Sequence, residues 1–478
     1  MEKSPLIQPF AHRERRFKYW KFFSVVFFSL LIFGLGFWFF YKNSFINNKQ
    51  EETFFNQAES FKDALSFVPS FLGFTRPQTY LVLFLNNTEI RPGGGFIGSY
   101  ALVKVDSGKI DILKTDGSEN LDWAAPTDFR VESPAPLKKF LKQELWFFRD
   151  SNWSPDFPTS AKTSLWFYRF EGGINGSKID GVLGLTPTVV ERLMALTGPL
   201  SVRDKKFSAE NFTEALEYHV EYGYKDEGAK KEERKSIIKD LSFELLKKVT
   251  SLPPWKWQDL LSLGMDLFKQ KQIMIFSNNE ELQKNLERNN WSGAIKKTDS
   301  DYLLVVDANL ASLKTDPAVK RKIKYELSLE GNDYKARVSI EYDHGGEFDW
   351  KTTRYRTYTR IYVPEGSRLI SADGFINEQN KKVEADVSND LDKVFFGGFL
   401  SVEPKTKKTL TIEYFLPPRV AEQIKNGSYT LFVQKQLGSI GSALTVDLNF
   451  DKTEGEEKSF SQDTDLTVDR EFKINEIK

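Results

Sequence analysis

The densest run of residues able to do chemistry is NNTEIRPGGGFIGS, residues 86–99, which directly follows an apolar segment. Gly93, Gly94 and Gly95 carry no side chains, so their backbone amides can approach a bound group closely, which makes them candidate cofactor-binding positions. Beside them, Arg91 can clamp a phosphate through parallel N–H donors, and Glu89 can accept a proton or help hold a divalent cation. The run is not a Walker loop, because the Lys-Ser/Thr ending is absent and a strand-like segment follows instead of a helix. A flexible turn between two strands accounts for the same residues. A second run, RDSNWSPDFPTS at 149–160, gathers Arg149, Asp150 and Asp156 in a Pro-bounded loop that Trp153 and Phe157 can anchor. Loops held by a rigid scaffold often carry functional groups, and a surface loop fixed by its aromatics fits equally. At 230–235, KKEERK reads as an exposed helix start in which Arg234 can face inward.

Other chemistries find no support. There is no Gly-x-Ser-x-Gly elbow and no HExxH, which speaks against a serine esterase and a zinc protease of that type. Cysteine is absent, which removes disulfides, thiolate metal sites and cysteine nucleophiles. His12, His219 and His344 are the only histidines, too few for a multi-histidine zinc site. The 67 basic and 67 acidic residues balance, so nothing favours nucleic acid as a partner.

The elements that must position these residues begin with an anchor. Residues 22–41, FFSVVFFSLLIFGLGFWFFY, contain no charge, and a helix of that length spans about 30 Å, the hydrocarbon thickness of a bilayer. Lys3, Arg13, Arg15, Arg16, Lys18 and Lys21 precede it, which predicts a cytoplasmic tail at 1–21 and export of the remainder. A cleaved signal peptide would be shorter and end in small residues, and a core helix would show a polar stripe. Residues 42–78 read as a helical stalk, with Phe54, Ala58, Phe61, Leu65 and Val68 at helical spacing.

From 79 to 299 strands and helices alternate. YLVLFL at 80–85 suits a buried central strand, and the runs 96–105 and 109–115 form a hairpin about Asp106, Ser107 and Gly108. Helices are expected at 186–198, capped by Thr186 and stopped by Gly198, from a capping box at Asn211 and Glu214, and over 233–250. Between 300 and 450 short alternating runs at 321–329, 335–342, 355–363, 408–414 and 428–434 indicate an all-β antiparallel sandwich. Residues 451–478 are charged and poor in apolar side chains, which predicts disorder.

NNTEIRPGGGFIGSY, RDSNWSPDFPTSA and KIDGVLGL, then LMALTGPLSV, resemble the bacterial family catalogued as domain of unknown function 4012. The resemblance continues through NNEELQKNLERNNWSGAI (278–295), DANLASLKTD (307–316), RIYVPEGSRL (360–369) and YTLFVQKQLG (429–438), with Gly93 where the family pattern has Thr. That family carries no established activity. The order of strand, long loop, helix, Asp180-Gly181-Val182 and LTGPLSV (196–202) is more distantly similar to the LytR-CpsA-Psr family, whose Arg-Ser-Asp and Ile-Pro-Arg-Asp motifs do not occur here. This second resemblance implies an α/β mixed sheet with helices. It also implies a phosphotransferase that moves cell-wall glycan from a polyprenyl-pyrophosphate lipid at the cytoplasmic membrane. In that scheme Arg91 and Arg149 clamp the pyrophosphate, Glu89, Asp150 or Asp156 hold a magnesium ion, Gly93–Gly95 assist, and Arg234 is a further catalytic candidate. The alternative is a non-catalytic envelope scaffold or glycan-binding surface protein, favoured if Glu89, Arg91, Arg149 and Asp156 disperse rather than converge on one pocket.

Overall fold

The computed structural model describes residues 69–450 and 459–477, apart from residues 129 and 476. The expected anchor at 22–41, the tail before it and residues 42–68 of the stalk lie outside the described residues. Among the described residues no helix is long and apolar enough to cross a membrane.

The first region is a mixed α/β layer. Strand β1 (Gln78–Asn86) is apolar on both faces, so it takes the centre of a five-stranded sheet. It pairs antiparallel with β2 (Phe96–Asp106), which pairs with β3 (Lys109–Gly117). On its other side it runs parallel to β4 (Gly181–Leu185), whose far neighbour is antiparallel β7 (Ile273–Ser277). Ser107 and Gly108 turn the expected hairpin with φ of 51° and 77°, the positive pair that matches strand twist.

Helices α1 (Ser118–Trp123), α2 (Ala135–Leu141) and α3 (Phe157–Phe170) follow β3. Within 149–160 only residues 151–156 are loop, between a 3-10 turn (Phe148–Asp150) and α3: the Asp156 carboxylate accepts the Thr159 amide at 3.0 Å and so opens α3, with Pro158 in its first turn. Helix α4 (Pro187–Thr197) stops at Gly198, φ 85°. Its Thr186 hydroxyl bonds Gln272 instead of capping. The hairpin β5 (Leu200–Val202) and β6 (Lys205–Phe207) leads to α5 (Phe212–Glu221) and α6 (Ile237–Thr250). No capping box forms at α5, because the Asn211 side chain accepts the Ser208 amide instead. Helices α7 (Trp257–Lys269) and α8 (Glu280–Arg288) flank β7.

The second region has two facing six-stranded sheets that share one core, with Tyr325, Val338 and Ile412 from one sheet against Ile361, Phe396 and Leu431 from the other. One sheet contains β9 (Val319–Glu330), β10 (Asp333–His344), β12 (Arg368–Asp373), β15 (Lys407–Phe415), β17 (Ala443–Asn449) and β18 (Ser459–Asp465). Its partner contains β8 (Asp301–Asn309), β11 (Tyr355–Pro364), β13 (Asp386–Asp390), β14 (Lys393–Val402), β16 (Ser428–Gln434) and β19 (Arg470–Asn475). A short helix, α9 (Pro418–Lys425), precedes β16.

Two expectations are corrected here. The sandwich is not wholly antiparallel, because β16 runs parallel to β8 and β17 parallel to β9. Nor is the C-terminal segment disordered throughout: β18 and β19 add an edge strand to each sheet. Pairing at an edge uses backbone groups, so it needs little of the apolar alternation that sequence reading relies on.

Candidate functional site

The structure brings Glu89, Arg91 and Asp150 together. Arg91 is 3% exposed. Its Nε lies 3.2 Å from Asp150, one terminal nitrogen lies 3.2 Å from Glu89, and the other donates to the Asn309 carbonyl of β8. The Ile90 amide donates to Asp316 at 3.0 Å, and the Ile90 carbonyl accepts the Asn309 amide at 2.9 Å. The segment after β1 is therefore a bracket that ties the α/β layer to the sandwich.

The glycines serve the same bracket. The Gly93 amide donates to Asn152 and the Gly94 amide to Arg91, both at 3.0 Å. A Cβ on Gly93 would stand 2.8 Å from Asn152, and one on Gly95 would stand 2.6 Å from Asn86. The expected ligand approach at Gly93–Gly95 is thus replaced by the approach of other parts of this chain.

Arg149 and Asp156 lie apart from Arg91. Arg149 pairs with Asp122 at 2.9 Å. Asp122 sits beside the buried Glu171, and burial followed by the neighbouring Asp122 charge raises the Glu171 carboxyl well above the ordinary range. Asp156 caps α3 with one oxygen and accepts the Ile295 amide with the other at 2.9 Å. The magnesium set of Glu89, Asp150 and Asp156 does not fit. Asp156 is taken up by backbone amides, the other two face Arg91, and no group of three or more His, Asp or Glu side chains suited to a metal gathers among the described residues.

Arg234 and Glu89 meet instead at a cavity of about 210 Å³ between the sheet and helices α4–α6. It opens where β1 and the parallel β4 end, the end of an α/β sheet at which ligands bind. Its wall is apolar. Phe212, Leu216 and Val220 recur every four residues on α5, and Ile238, Leu241 and Leu245 recur at three and four on α6. Its mouth carries mixed charge. Arg234 contacts Glu119 at 2.9 Å and Glu221 at 3.5 Å, Lys314 contacts Glu221 at 3.3 Å, and Lys235 bonds Glu119 and the Gly98 carbonyl.

Burial sets the protonation of this mouth. It raises the carboxyls of Glu89 and Glu217 and lowers the Lys235 ammonium. For Glu119, burial opposes ionisation, but Lys235, by charge and hydrogen bond, and the Arg234 hydrogen bond override it and hold the carboxyl below its usual value. Glu217 accepts hydrogen bonds from Thr88 and Asn86. An apolar slot with cations at its mouth suits an amphiphile with an anionic head.

Sequence reasoning had Arg234 but missed Glu119, Lys235, Glu217, Glu221 and Lys314. A signal was present just ahead of α6, where Arg234 and Lys235 stand one residue before the apolar series that starts at Ile237.

No curated protein matches the chain. Among solved structures, a candidate nutrient binding protein from Legionella pneumophila subsp. pneumophila str. Philadelphia 1 aligns at 7% identity over 37% of this chain and 71% of its own, with a TM-score of 0.24. A score that low says nothing of a shared fold. Residues 75–220 match the model of a family described as a protein of unknown function, DUF4012. That stretch holds the Arg91 bracket, Arg149 and most of α5, and it stops short of the runs at 278–438. The likeness to that family is thus confined to residues 75–220, less than half of the chain.

Proposed function

We propose that the chain is a single-pass, membrane-anchored extracytoplasmic protein of the cell envelope whose α/β layer binds the lipid-phosphate end of a polyprenyl-linked glycopolymer. The observation that carries this reading is the apolar cavity between the sheet and α4–α6, with Arg234, Lys235 and Lys314 at its mouth. An isoprenoid tail would leave water against Leu216, Ile238 and Leu245, and burial of that kind supplies about 25 cal/mol per Å². A phosphate would take donors from Arg234 and Lys314 in competition with Glu119 and Glu221. The charge-free stretch at 22–41 would keep the site near the membrane that holds such lipids.

Binding by the full-length chain in nanodiscs of a polyprenyl phosphate, followed by native mass spectrometry, tests the reading. Wild type should retain the lipid, and Leu216→Trp, which fills the cavity, should lose at least about tenfold in affinity. Equal retention by both proteins would overturn the proposal.

A second reading, a LytR-like transferase, draws on Glu89 and Glu217, two carboxyls that burial lifts and that line the same cavity. It would use these carboxyls as proton carriers rather than an Arg91–Arg149 pyrophosphate clamp. Transfer of the glycan phosphate to an acceptor hydroxyl, read as polyprenyl phosphate released from a polyprenyl-pyrophosphate-linked glycan by wild type and lost in Glu217→Gln, is its test.

A further inference from the structure

A larger cavity of about 490 Å³ lies between the α/β layer and the sandwich. Glu191, Glu214 and Glu217 stand on its helical side, and Arg321, Lys351 and Gln436 on its sandwich side. Thr213, Glu217 and Lys314 line both this cleft and the apolar cavity, so the two spaces abut across three side chains. A molecule whose head lies at Lys314 can continue from one into the other.

The cleft selects by charge. Six carboxylates line it against three cations, Lys314, Arg321 and Lys351. All three cations already have carboxylate partners: Arg321 lies 2.6 Å from Asp307 and 2.8 Å from Asp316, Lys351 lies 2.6 Å from Glu214, and Lys314 lies 3.3 Å from Glu221. An anionic occupant is therefore disfavoured, and a neutral one rich in hydroxyl donors is favoured.

An aromatic surface stands beside it. Tyr218 and Tyr222 are 52% and 45% exposed, and each meets Trp350 edge-on at 5.8 Å. Tyr218 stands one turn after the cleft-lining Glu214 on the same face of α5, and Trp350 precedes the cleft-lining Lys351, so the rings neighbour the cleft rim without lining the cleft itself. Rings beside hydroxyl acceptors suit a pyranose, whose C–H face is apolar and whose rim donates hydrogen bonds.

We infer that this cleft is the subsite for the neutral sugar residues of the same lipid-linked ligand, next to its phosphate. The inference rests on the amphiphile reading of the smaller cavity. It gives the sandwich a role in recognition, because half of the subsite belongs to it.

The test compares two ligands on the full-length chain in nanodiscs: a polyprenyl diphosphate, and the same lipid bearing a neutral disaccharide. Wild type should hold the glycosylated lipid about tenfold more tightly, the worth of one or two net hydrogen bonds. Ile440→Trp places bulk in the cleft at a side chain that is 67% exposed, so the fold should tolerate it. It should erase the increment while leaving the bare lipid unaffected, whereas Leu216→Trp should weaken both ligands. Equal affinity of wild type for the two lipids would overturn the sugar subsite and leave lipid binding standing. Failure to bind the bare lipid would remove the underlying reading, and the subsite with it.

Discussion

Arg91 and Arg234 are two arginines set among glutamates in one layer, yet they do opposite things. Arg91 is 3% exposed and joins Glu89, Asp150 and a carbonyl from the sandwich. Arg234 is 19% exposed and lines a cavity. A buried guanidinium matched on every side by its own chain organises architecture, whereas one beside open space can exchange partners for a ligand. The motif that looks most chemical in the sequence is thus the structural one. The plainer KKEERK run carries the surface that faces open space.

The contrast can be tested by removing each charge. Arg91→Met leaves Glu89 and Asp150 buried with no cation between them, and it should lower unfolding free energy in urea by about 3–5 kcal/mol. A loss under about 1 kcal/mol would mean that Arg91 is not an architectural residue. Another buried cation, Lys435, sharpens the point. Burial first, then the neighbouring Lys271, pushes its ammonium down to about 7. The folded state has then shed a proton that the unfolded chain keeps, so stability should rise as pH climbs from about 7 toward the unfolded value of 10.5. The rise is at most about 1.4 kcal/mol per pH unit, and Lys435→Met should flatten it in denaturation curves taken across that window.

Arg234→Met should change stability by no more than about 1 kcal/mol, since its ion pairs are partly exposed, while polyprenyl phosphate binding falls about tenfold. A stability loss as large as that of Arg91→Met would erase the distinction between the two sites. The smallest effect is expected at Glu217. Burial raises its carboxyl, so the folded state holds an extra proton above pH 4.5, and stability should fall as pH rises through the folded value. Glu217→Gln should remove that slope, and an unchanged slope would show that another group carries it.

What could be read from the sequence followed the strength of local patterning. YLVLFL declared a central strand, and the alternation at 408–414 declared β15, because burial on two faces or one leaves a direct imprint on residue type. The first turn of α3, residues 157–160, falls inside the loop expected at 149–160 because the prolines there dominate the pattern, although Asp156 followed by Pro158 is a helix-opening pair. The C-terminal strands were missed because SFSQDTD is held largely by its neighbour's backbone rather than by burial. The site was harder to see. Glu119 and Arg234 are 115 residues apart, and only the tertiary fold brings the segment ahead of α6 to α1.

The late parallel pairings have a kinetic consequence. β8 and β9 open the two sheets, but β16 and β17 flank them only after more than a hundred residues of intervening chain have been made. A chain growing from its N-terminus carries both sheets with an unpaired side until the last strands emerge. Closing such distant contacts is slow. Loss of the final segment would expose the inner strands to pairing with other molecules, so an aggregated product, rather than a shorter working protein, is the outcome of C-terminal truncation.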